Sequence, residues 1–338
     1  MASIVDVARE AKVSTATVSR VINRAPQVHG ELVERVRKAI EITGYMPPEV
    51  RRKGRPRKSV DGLRTGVIAV VFPDSHATAI RTPLSARLIH GIEETLREMG
   101  LTMVVTGITE HGNLPPTLDK RLVDGLIIRS GFRDQKLATE VLRFPHVHML
   151  ESVESIGEQW DSIQDDNTVI GAMAFKYLHG CQVGSLTIIN MIPVHAAFES
   201  RIRSFQAQAA KASLPVRVLS HPSQLTEMVE QLVTGQTRPY GIFVPGSDGE
   251  VTDVYHALEA RGLKLGKDME FICCVNDTHR LEALDRRLIN IDIQAEAIGR
   301  AAVELLLWRL RHPSEPPRRV LIRPMYIPPI APHVQIEH

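Results

Sequence analysis

The sequence predicts an α/β protein in which a small helical headpiece precedes a body of two lobes, each built on a doubly wound parallel sheet. Three short helical patterns occupy the first fifty residues, a strongly basic segment follows them, and from Leu63 onward apolar strand-like runs alternate with amphipathic helices. Such alternation is typical of parallel sheets flanked by helices. The 338 residues, 43% of them hydrophobic and 24% charged, are enough for two or three domains that each bury a core.

The first two helical patterns are separated by a four-residue step, 11–14. The first runs from Ile4 to Glu10; Ser3 precedes it and Asp6 follows three residues later, which is the spacing of a capping box. The second begins after Ser14, whose hydroxyl can accept a hydrogen bond from an amide of the first helical turn. Two helices joined by so short a step predict a helix-turn-helix, whose second helix enters the major groove of DNA.

The second helical pattern has an apolar stripe on one side and small or hydroxyl-bearing side chains around one arginine on the other. Small side chains allow close approach to DNA, a threonine methyl group can pack on a thymine methyl group, and arginine can donate to guanine or to phosphate. This face therefore predicts a helix that lies against DNA. Its members are Thr15, Ala16, Thr17, Ser19 and Arg20.

A third helical pattern, Glu31 to Thr43, stops at Gly44, a residue type that commonly ends helices. Tyr45 is expected to close the resulting three-helix bundle. The first 47 residues resemble the N-terminal domain of the LacI/GalR family of transcription regulators, including its closing Tyr-x-Pro motif, present as Tyr45-Met46-Pro47. The matching positions are Ile4, Asp6, Val7, Ala8, Ala11, Val13, Ser14, Thr17, Val18, Ser19, Arg20, Val21 and Asn23.

Lys12 departs from the family pattern, which usually has a glycine in the turn between the first two helices. Lys12 must therefore adopt a left-handed backbone conformation, or the turn must differ in shape. An ordinary helical hairpin within a larger domain is the alternative explanation of the first two helices.

The resemblance implies a homodimer, because a two-fold dimer presents two recognition helices to successive major grooves. The DNA partner should then be a double-stranded operator with a near-palindromic sequence. Side chains that reach base edges would read that sequence, whereas side chains that bind phosphates would fix the register. We expect base contacts from Thr15, Ala16 and Arg20, and phosphate contacts from Ser14, Thr17, Ser19 and Asn23.

Six of the eight residues in 51–58 are basic, and Gly54 and Pro56 disfavour a helix across the segment. The family usually has a short hinge helix here, whereas Gly-Arg-Pro flanked by arginine and lysine resembles an AT-hook. In an AT-hook an extended backbone lies in a narrow minor groove, which Arg55 and Arg57 would enter. A solvated basic linker that contacts phosphates without sequence preference is the alternative. The predicted domains are a headpiece over 1–48, this linker over 49–64 and a body over 65–335.

Charge is distributed unevenly along the chain. Residues 1–64 hold 14 Lys or Arg against 7 Asp or Glu, while the remainder holds 27 basic and 32 acidic residues. A basic headpiece before an acidic body is the expected distribution for a DNA-binding protein with a second domain. The sequence shows no charged-then-apolar leader, no apolar run of membrane-spanning length, and no metal-ligand spacing among its histidines or three cysteines. We therefore expect a cytoplasmic protein that needs no membrane, metal or cofactor.

The body carries further landmarks of the same family. Gly91-Ile92-Glu93 resembles part of its first long helix, and Val-Asp-Gly-Leu-Ile-Ile at 123–128 resembles one of its strands. Gly246-Ser247-Asp248 and Val275-Asn276-Asp277 stand where the family has similar tripeptides. The resemblance implies the periplasmic-binding-protein-like fold, in which a ligand lies in the cleft between two lobes.

Ligands of open α/β sheets collect at the carboxyl ends of the strands, so polar residues that follow strands are candidates for ligand contact. The resemblance implies that Arg201 grips the effector, and an arginine beside a carboxylate suits the diols of a sugar. Trp160 is open to two interpretations, stacking on a sugar face or ordinary packing. The predicted effector-binding residues are Asp74, Glu151, Arg201, Ser247, Asp248, Asn276 and Asp277, and the wider candidate set adds Ser75, Arg129, Ser130 and 165–167.

The combined expectation is a transcriptional regulator, and more specifically a repressor, controlled by a small polar ligand that is a sugar or a sugar derivative. An enzyme would need a nucleophile–base pair or a phosphate-binding glycine loop, and the sequence has no Gly-x-x-x-x-Gly-Lys-Ser/Thr, Gly-x-Ser-x-Gly or His-Glu-x-x-His motif. We therefore expect a protein that is not an enzyme. The alternative is a DNA-binding regulator whose body is a ligand-independent dimerisation or partner-binding module.

Overall fold

A computed structural model describes most of the chain, which divides into two compact units, Met1–Val60 and Asp61–His338. Within the described residues no helix is both long enough and apolar enough to cross a membrane. The described residues are 3–22, 28–45, 62–73, 80–108, 114–129, 135–151, 159–193, 195–220, 225–234, 237–246, 248–275 and 277–327.

The first unit contains three short helices, α1 (Ile4–Glu10), α2 (Thr15–Ile22) and α3 (Gly30–Thr43). Small and β-branched side chains from all three helices form one core, and the burial of this apolar surface stabilises the bundle. Tyr45 packs against the same core, as the sequence predicts. The buried core residues are Val7, Ala8, Ala11, Val18, Val36 and Ala39.

The predicted helix ends of this unit are confirmed. Ser3 and Asp6 form a capping box, in which the Ser3 amide donates to the Asp6 carboxylate at 2.8 Å and the Asp6 amide donates to the Ser3 hydroxyl at 3.4 Å. Gly44 ends α3 in the left-handed region, with φ 63°. Such ends can be predicted from sequence because their hydrogen-bonding partners lie within one helical turn of each other.

Among the residues that the structure describes, the second unit has twelve strands and nine helices. The strands are β1 (Val67–Pro73), β2 (Thr102–Ile108), β3 (Gly125–Arg129), β4 (His146–Met149), β5 (Ser162–Asp165), β6 (Ser185–Asn190), β7 (Val216–Ser220), β8 (Tyr240–Val244), β9 (Met269–Cys273), β10 (Ile289–Asp292), β11 (Arg319–Ile322) and β12 (Met325–Ile327). The helices are α4 (Pro83–Glu98), α5 (Pro116–Asp119), α6 (Gln135–Val141), α7 (Asn167–Gly180), α8 (Ala196–Lys211), α9 (Leu225–Val233), α10 (Asp248–Ala260), α11 (Thr278–Leu284) and α12 (Ala295–Arg311).

The strands form two six-stranded sheets, one in each lobe. Lobe 1 has the strand order β11-β5-β4-β3-β1-β2 and all its neighbours are parallel. Lobe 2 has the equivalent order β12-β10-β9-β8-β6-β7, and only its edge strand β12 runs antiparallel to its neighbour. The predicted body of two doubly wound lobes is confirmed, with β12 as the exception to its parallel character.

The chain passes between the lobes three times, after β5, after β10 and between β11 and β12. Each crossover leaves a strand at its carboxyl end, and β12 begins beside the carboxyl end of β10, where Met325 is paired with Asp292. The Asp166 amide donates to the Ile322 carbonyl at 3.0 Å and so joins the first crossover to the third. The carboxyl ends of both sheets therefore lie at the hinge, which is where ligands of such sheets bind.

Close helix packing explains the Gly-Ile-Glu motif of the body. A Cβ atom on Gly91 would lie only 2.2 Å from the carbonyl oxygen of Glu296, because α4 and α12 cross at this glycine. Any side chain at Gly91 would therefore force the two helices apart. The motif marks a helix crossing beside the hinge.

The structure differs from the sequence prediction in several elements of the body. In the sequence, an amphipathic helical pattern is visible only over 201–212, and it predicts a helix that starts at Arg201. Helix α8 instead begins at Ala196. Strand β5 has the sequence Ser-Ile-Gln-Asp and β11 alternates between exposed and half-buried residues, so neither has the apolar run that marked the other strands. Short helices α5, α6 and α11 were also not predicted, since four to seven residues are too few to display a helical period.

Candidate functional site

Ser14 caps helix α2, as predicted. Its Oγ atom accepts a hydrogen bond from the Thr17 amide at 3.1 Å and lies 2.9 Å from the Thr17 hydroxyl. Two of the predicted phosphate-binding hydroxyls are thus joined at the beginning of the helix. The cap satisfies one of the amides that the first helical turn leaves without a backbone partner.

The exposed face of α2 carries the predicted base-reading residues. Thr15, Ala16 and Arg20 are all exposed, whereas Val18 on the opposite side is fully buried in the headpiece core. Ser19 is half-buried at the border of the two faces. The remaining predicted DNA contacts, Asn23, Arg55 and Arg57, lie outside the described residues.

The turn between α1 and α2 has the left-handed conformation that the sequence required of a non-glycine residue. Lys12 has φ 51° and an exposed side chain. The first of the two options, a left-handed lysine in an otherwise ordinary turn, is therefore the one that the structure adopts.

Arg201 lies at the hinge, buried to 5% exposure, and its guanidinium group is bonded on all three nitrogens. Nε donates to the Asn167 side chain at 2.7 Å, Nη2 donates to the Asp165 carboxylate at 2.8 Å, and Nη1 donates to the carbonyl of Pro245. Because Asp165 ends a strand of lobe 1 and Arg201 belongs to a helix of lobe 2, this ion pair joins the two lobes.

Gly246 allows Arg201 to reach the carboxyl end of β8. A Cβ atom at Gly246 would lie 2.4 Å from the ring of Phe198 and 3.1 Å from Nη1 of Arg201. The Arg201 guanidinium itself lies 5.3 Å from the centre of the Phe198 ring. The glycine of the Gly246-Ser247-Asp248 motif is thus required by the space that the buried arginine occupies.

A second arginine makes the equivalent connection from lobe 1 to lobe 2. Arg87 on α4 donates to both carboxylate oxygens of Asp292 at 2.9 and 3.0 Å, and to both oxygens of Glu296 at 2.6 and 2.7 Å. Asp292 ends β10 of lobe 2, just as Asp165 ends β5 of lobe 1. Burial favours the neutral form of Glu296, but hydrogen bonds from Arg87 lower the pKa of that carboxyl below its ordinary value.

Arg129 ends strand β3, paired in register with Met149, and Glu151 follows two residues after that partner. Burial lowers the pKa of Arg129, and the negative charges of Glu151 and Asp165 oppose that change. The carboxyl end of the lobe 1 sheet thus brings the predicted residues Arg129, Glu151 and Asp165 within electrostatic reach of one another.

His195 is a neighbour of this group that the sequence did not single out. Partial burial, and then the positive charges of Arg201 and Arg129, lower the pKa of His195 below its ordinary value. Its ring stacks on Phe198 at 4.1 Å between centroids. His195 directly precedes α8. The sequence did not indicate this position, because the helical pattern is recognisable only from Arg201 onward.

Other predicted effector residues fall in different places. Asp277 caps α11, where its carboxylate accepts from the Arg280 amide at 3.0 Å. Asp248 begins α10, and its side chain is outside what the structure describes. Asp74, Ser247 and Asn276 also lie outside the described residues.

Trp160 lies away from the cleft. The structure therefore supports ordinary packing for this residue and not stacking on a ligand. Its ring lies 4.6 Å from the ring of His146, which begins strand β4 at the end opposite the hinge. His146 and His148 face the same side of the strand with centroids 5.2 Å apart. In the described part of the chain, no three histidine, cysteine or carboxylate side chains are grouped so that they could hold a metal.

Asp124, within the family-like strand motif, has a structural part. Burial favours its neutral form, but hydrogen bonds donated by the backbone amides of Thr65, Arg64 and Gly66 lower the pKa of its carboxyl below the ordinary value. The hydrogen bonds measure 2.9 Å from Arg64 and 2.6 Å from Gly66. Asp124 thereby anchors the segment that leads into β1.

Comparisons with known proteins agree with this arrangement. Residues 3–48 match the family described as bacterial regulatory proteins of the lacI family, and residues 185–328 match the periplasmic binding protein-like domain. The ribose operon repressor of Haemophilus influenzae is 24% identical, over 96% of each chain.

Solved structures show the same fold. The complex of the transcriptional regulator CelR with cellobiose has a TM-score of 0.65 and 22% identity, covering 97% of this chain and 98% of the other. The lac repressor dimer bound to operator and an anti-inducer has a TM-score of 0.64 and 18% identity, over the same shares of the two chains. The chain therefore combines a lacI-type DNA-binding domain with a periplasmic-binding-protein-like domain, and the relatives that it matches over nearly their full length are repressors of the LacI family.

Proposed function

We propose that the protein is a sequence-specific transcriptional repressor that binds a near-palindromic operator as a homodimer. The observation that carries the proposal is helix α2, which is capped by Ser14, anchored by buried Val18 and free to present Thr15 and Arg20. A helix of this kind reads base edges in the major groove. The solved lac repressor, a dimer on its operator, supports the dimeric arrangement. Catalysis has no part in the proposal.

The residues of α2 divide into two groups by chemistry. Exposed side chains at its centre read bases, while hydroxyls at its start and edge bind phosphates and set the register. In this proposal Thr15, Ala16 and Arg20 read bases, and Ser14, Thr17, Ser19 and Asn23 bind phosphates.

The basic segment that follows the headpiece is proposed to act as an AT-hook. Arg55 and Arg57 would lie in a narrow minor groove beside or between the half-sites, where the negative potential is deepest. The support for this assignment is the Gly-Arg-Pro sequence among six basic residues.

A sugar or sugar derivative in the cleft between the lobes is the proposed effector. Arg129, Glu151, Asp165 and Arg201 supply arginine and carboxylate groups at the hinge, a chemistry that suits the paired hydroxyls of a sugar. A relative named as a ribose operon repressor and a neighbour bound to cellobiose support this class of ligand. The complete proposed set is Asp74, Glu151, Arg201, Ser247, Asp248, Asn276 and Asp277.

The effector would act by changing how far the lobes close. A ligand shifts such an equilibrium only if it binds the DNA-competent and DNA-incompetent arrangements with different affinity. Closure of the lobes would change the geometry of the ion pairs Arg201–Asp165 and Arg87–Asp292, since each pair joins one lobe to the other.

DNA binding is tested by selecting bound duplexes from a random-sequence pool with the purified full-length protein. We expect a near-palindromic motif whose half-sites are about one helical turn apart, as a two-fold dimer requires. Arg20→Ala should relax that motif at one base pair of each half-site, whereas Arg37→Ala, on an exposed face of α3, should retain it in full. Recovery of no motif by the wild-type chain would contradict the proposal.

Effector binding is tested by titrating ribose and cellobiose, together with a wider set of mono- and disaccharides, in a calorimeter and in an operator-binding assay. A saturable sugar that changes operator affinity supports the sensor. Specific operator binding with no response to any sugar would instead favour a ligand-independent dimerisation or partner-binding body.

A further inference from the structure

The turn between α1 and α2 contains a lysine in a conformation that residues with a side chain rarely adopt. Lys12 has φ 51°, where the Cβ atom crowds the following carbonyl group and only glycine avoids the clash. Lys12 follows Ala11, the C-cap of α1, and comes two residues before Ser14 at the start of α2. Its backbone therefore sets the direction in which α2 leaves α1, and the strain needs compensation from elsewhere in the headpiece.

Arg35 on α3 supplies that compensation. Its Nη2 atom donates to the carbonyl oxygen of Ala11 at 2.7 Å and to the carbonyl oxygen of Lys12 at 3.3 Å. Both carbonyls lie at the C-terminal end of α1, where carbonyl groups lack partners within the helix and the helix dipole favours a positive charge. Arg35 directly precedes the buried core residue Val36, so it reaches the turn from a helix that the core already holds in place.

We propose that Arg35 is a positioning residue for DNA binding and takes the part that a turn glycine would otherwise have. By bonding two successive carbonyls it holds the left-handed turn at Lys12, and hence the angle at which α2 presents Thr15 and Arg20. The inference rests on the proposed function, because it explains the turn by the orientation of a DNA-reading helix. A direct contact from Arg35 to a DNA phosphate is the competing explanation, and the two differ in what they predict for variants.

The test is a double-mutant cycle in the full-length protein, read by fluorescence anisotropy on the duplex that the random-pool selection yields. Arg35→Ala should weaken binding about tenfold, because the turn loses the bonds that hold it. Adding Lys12→Gly should restore affinity to within about threefold of wild type, because glycine adopts the left-handed region without strain. Lys12→Ala is the matched control, since it removes the same ammonium group but keeps the Cβ atom, and it should not rescue.

Two further variants keep the test decisive. Arg37→Ala removes a neighbouring arginine of α3 that is paired with Glu34 at 3.4 Å, and it should bind within about twofold of wild type. Arg35→Lys keeps one charged donor without the fork, so it should fold if Arg35→Ala does not, and should bind about threefold more weakly than wild type. Circular dichroism of each variant reports whether the helices remain formed.

Salt dependence separates positioning from direct contact. Loss of one charged contact to a phosphate lowers the slope of log affinity against log salt concentration by about 1. A change in the angle of α2 alone removes no such contact from Arg35, so it leaves the slope unchanged. We expect the slope of Arg35→Ala to equal that of wild type. Because the substitution is present in both protomers of the dimer, a slope reduced by about 2, with no rescue by Lys12→Gly, would overturn the proposal and assign Arg35 to phosphate contact.

Wild-type affinity in a folded Arg35→Ala variant would also overturn the positioning role. If the wild-type chain itself selected no sequence, the proposed function would fail first, and the positioning role would fail with it. Specific binding by wild type, weak binding by Arg35→Ala and recovery in the double variant form the only pattern that supports both.

Discussion

Arg201 and Asp165 form a buried ion pair that spans the two lobes, with 2.8 Å between Nη2 and Oδ2 and about one-twentieth of each side chain exposed. Arg87 and Asp292 form the matching pair in the opposite direction, from a lobe 1 helix to the end of a lobe 2 strand. Each aspartate is the last residue of a strand that leads into a crossover. The two sheets have equivalent strand orders, and the ion pairs that connect them are equivalent as well.

Asp165→Asn should destabilise the body by about 3 kcal/mol, because removing one partner of a buried pair leaves the other charge uncompensated. Urea unfolding followed by fluorescence measures the change. The exposed pair Arg37–Glu34, with 68% and 76% of its side chains exposed, is the control, and Glu34→Gln should change stability by less than about 0.5 kcal/mol. Equal effects of the two substitutions would contradict the stabilising part assigned to Asp165.

Asp292→Asn should cost less, about 1–2 kcal/mol, because Arg87 keeps its two hydrogen bonds to Glu296. The loss in free energy of unfolding for Asp292→Asn combined with Glu296→Gln should exceed the sum of the losses for the single variants. Only the double variant removes both carboxylates that Arg87 binds. Strict additivity in the same unfolding assay would show that the two carboxylates do not share Arg87.

His148 gives the body a sensitivity to acid. Burial, with a smaller effect from His146, lowers the pKa of His148 to about 3, against 6.5 for the exposed group. Between these values the unfolded chain binds the proton and the folded chain does not, so stability falls as pH falls below 6.5. The expected slope from this residue is about 1.4 kcal/mol per pH unit.

His148→Phe should remove that part of the pH dependence while keeping the buried volume, and unfolding curves from pH 7 to pH 4.5 measure it. Parallel stability profiles for wild type and His148→Phe would be the contrary result.

The headpiece could be predicted in detail because its signals are local. The capping box at Ser3, the cap at Ser14 and the stop at Gly44 each involve residues within one helical turn. The sequence predicted that Lys12 is left-handed or that the turn differs in shape, and its φ of 51° shows the first of these two options.

The hinge contacts could not be predicted in the same way. Asp165 and Arg201 are 36 residues apart and lie in different lobes, and Arg87 and Asp292 are 205 apart. A pattern of strands followed by polar residues indicates one edge of a sheet, but it does not indicate which side chains bond to each other across two sheets. Trp160 shows the converse, since its aromatic ring suggested a ligand while its position at the far end of β4 depends on a strand register that the sequence does not display.

Arg20→Ala should reduce specificity more than affinity for DNA in general. An arginine that donates to guanine contributes discrimination of about 1–3 kcal/mol at one base pair of each half-site, so the variant should tolerate substitutions there. Competition between the selected operator and single-base variants measures this. Ser14→Ala, which removes the cap of α2 and the proposed phosphate contact, should instead weaken binding to all of these duplexes alike. A variant Arg20→Ala that still rejects the same bases would contradict a base-reading part for Arg20.

The AT-hook assignment predicts that Arg55→Ala with Arg57→Ala weakens binding chiefly where the operator has AT-rich sequence at its centre or flanks. Minor-groove arginines depend on a narrow groove, which AT-rich steps provide and GC-rich steps do not. Anisotropy titrations on two operators with identical half-sites, one AT-rich and one GC-rich between them, measure the difference. Arg51→Ala with Arg52→Ala removes the same charge outside the Gly-Arg-Pro core and should weaken both complexes equally. Equal losses for the two double variants on both operators would mean that the segment is a basic linker, because a linker responds to charge and not to groove shape.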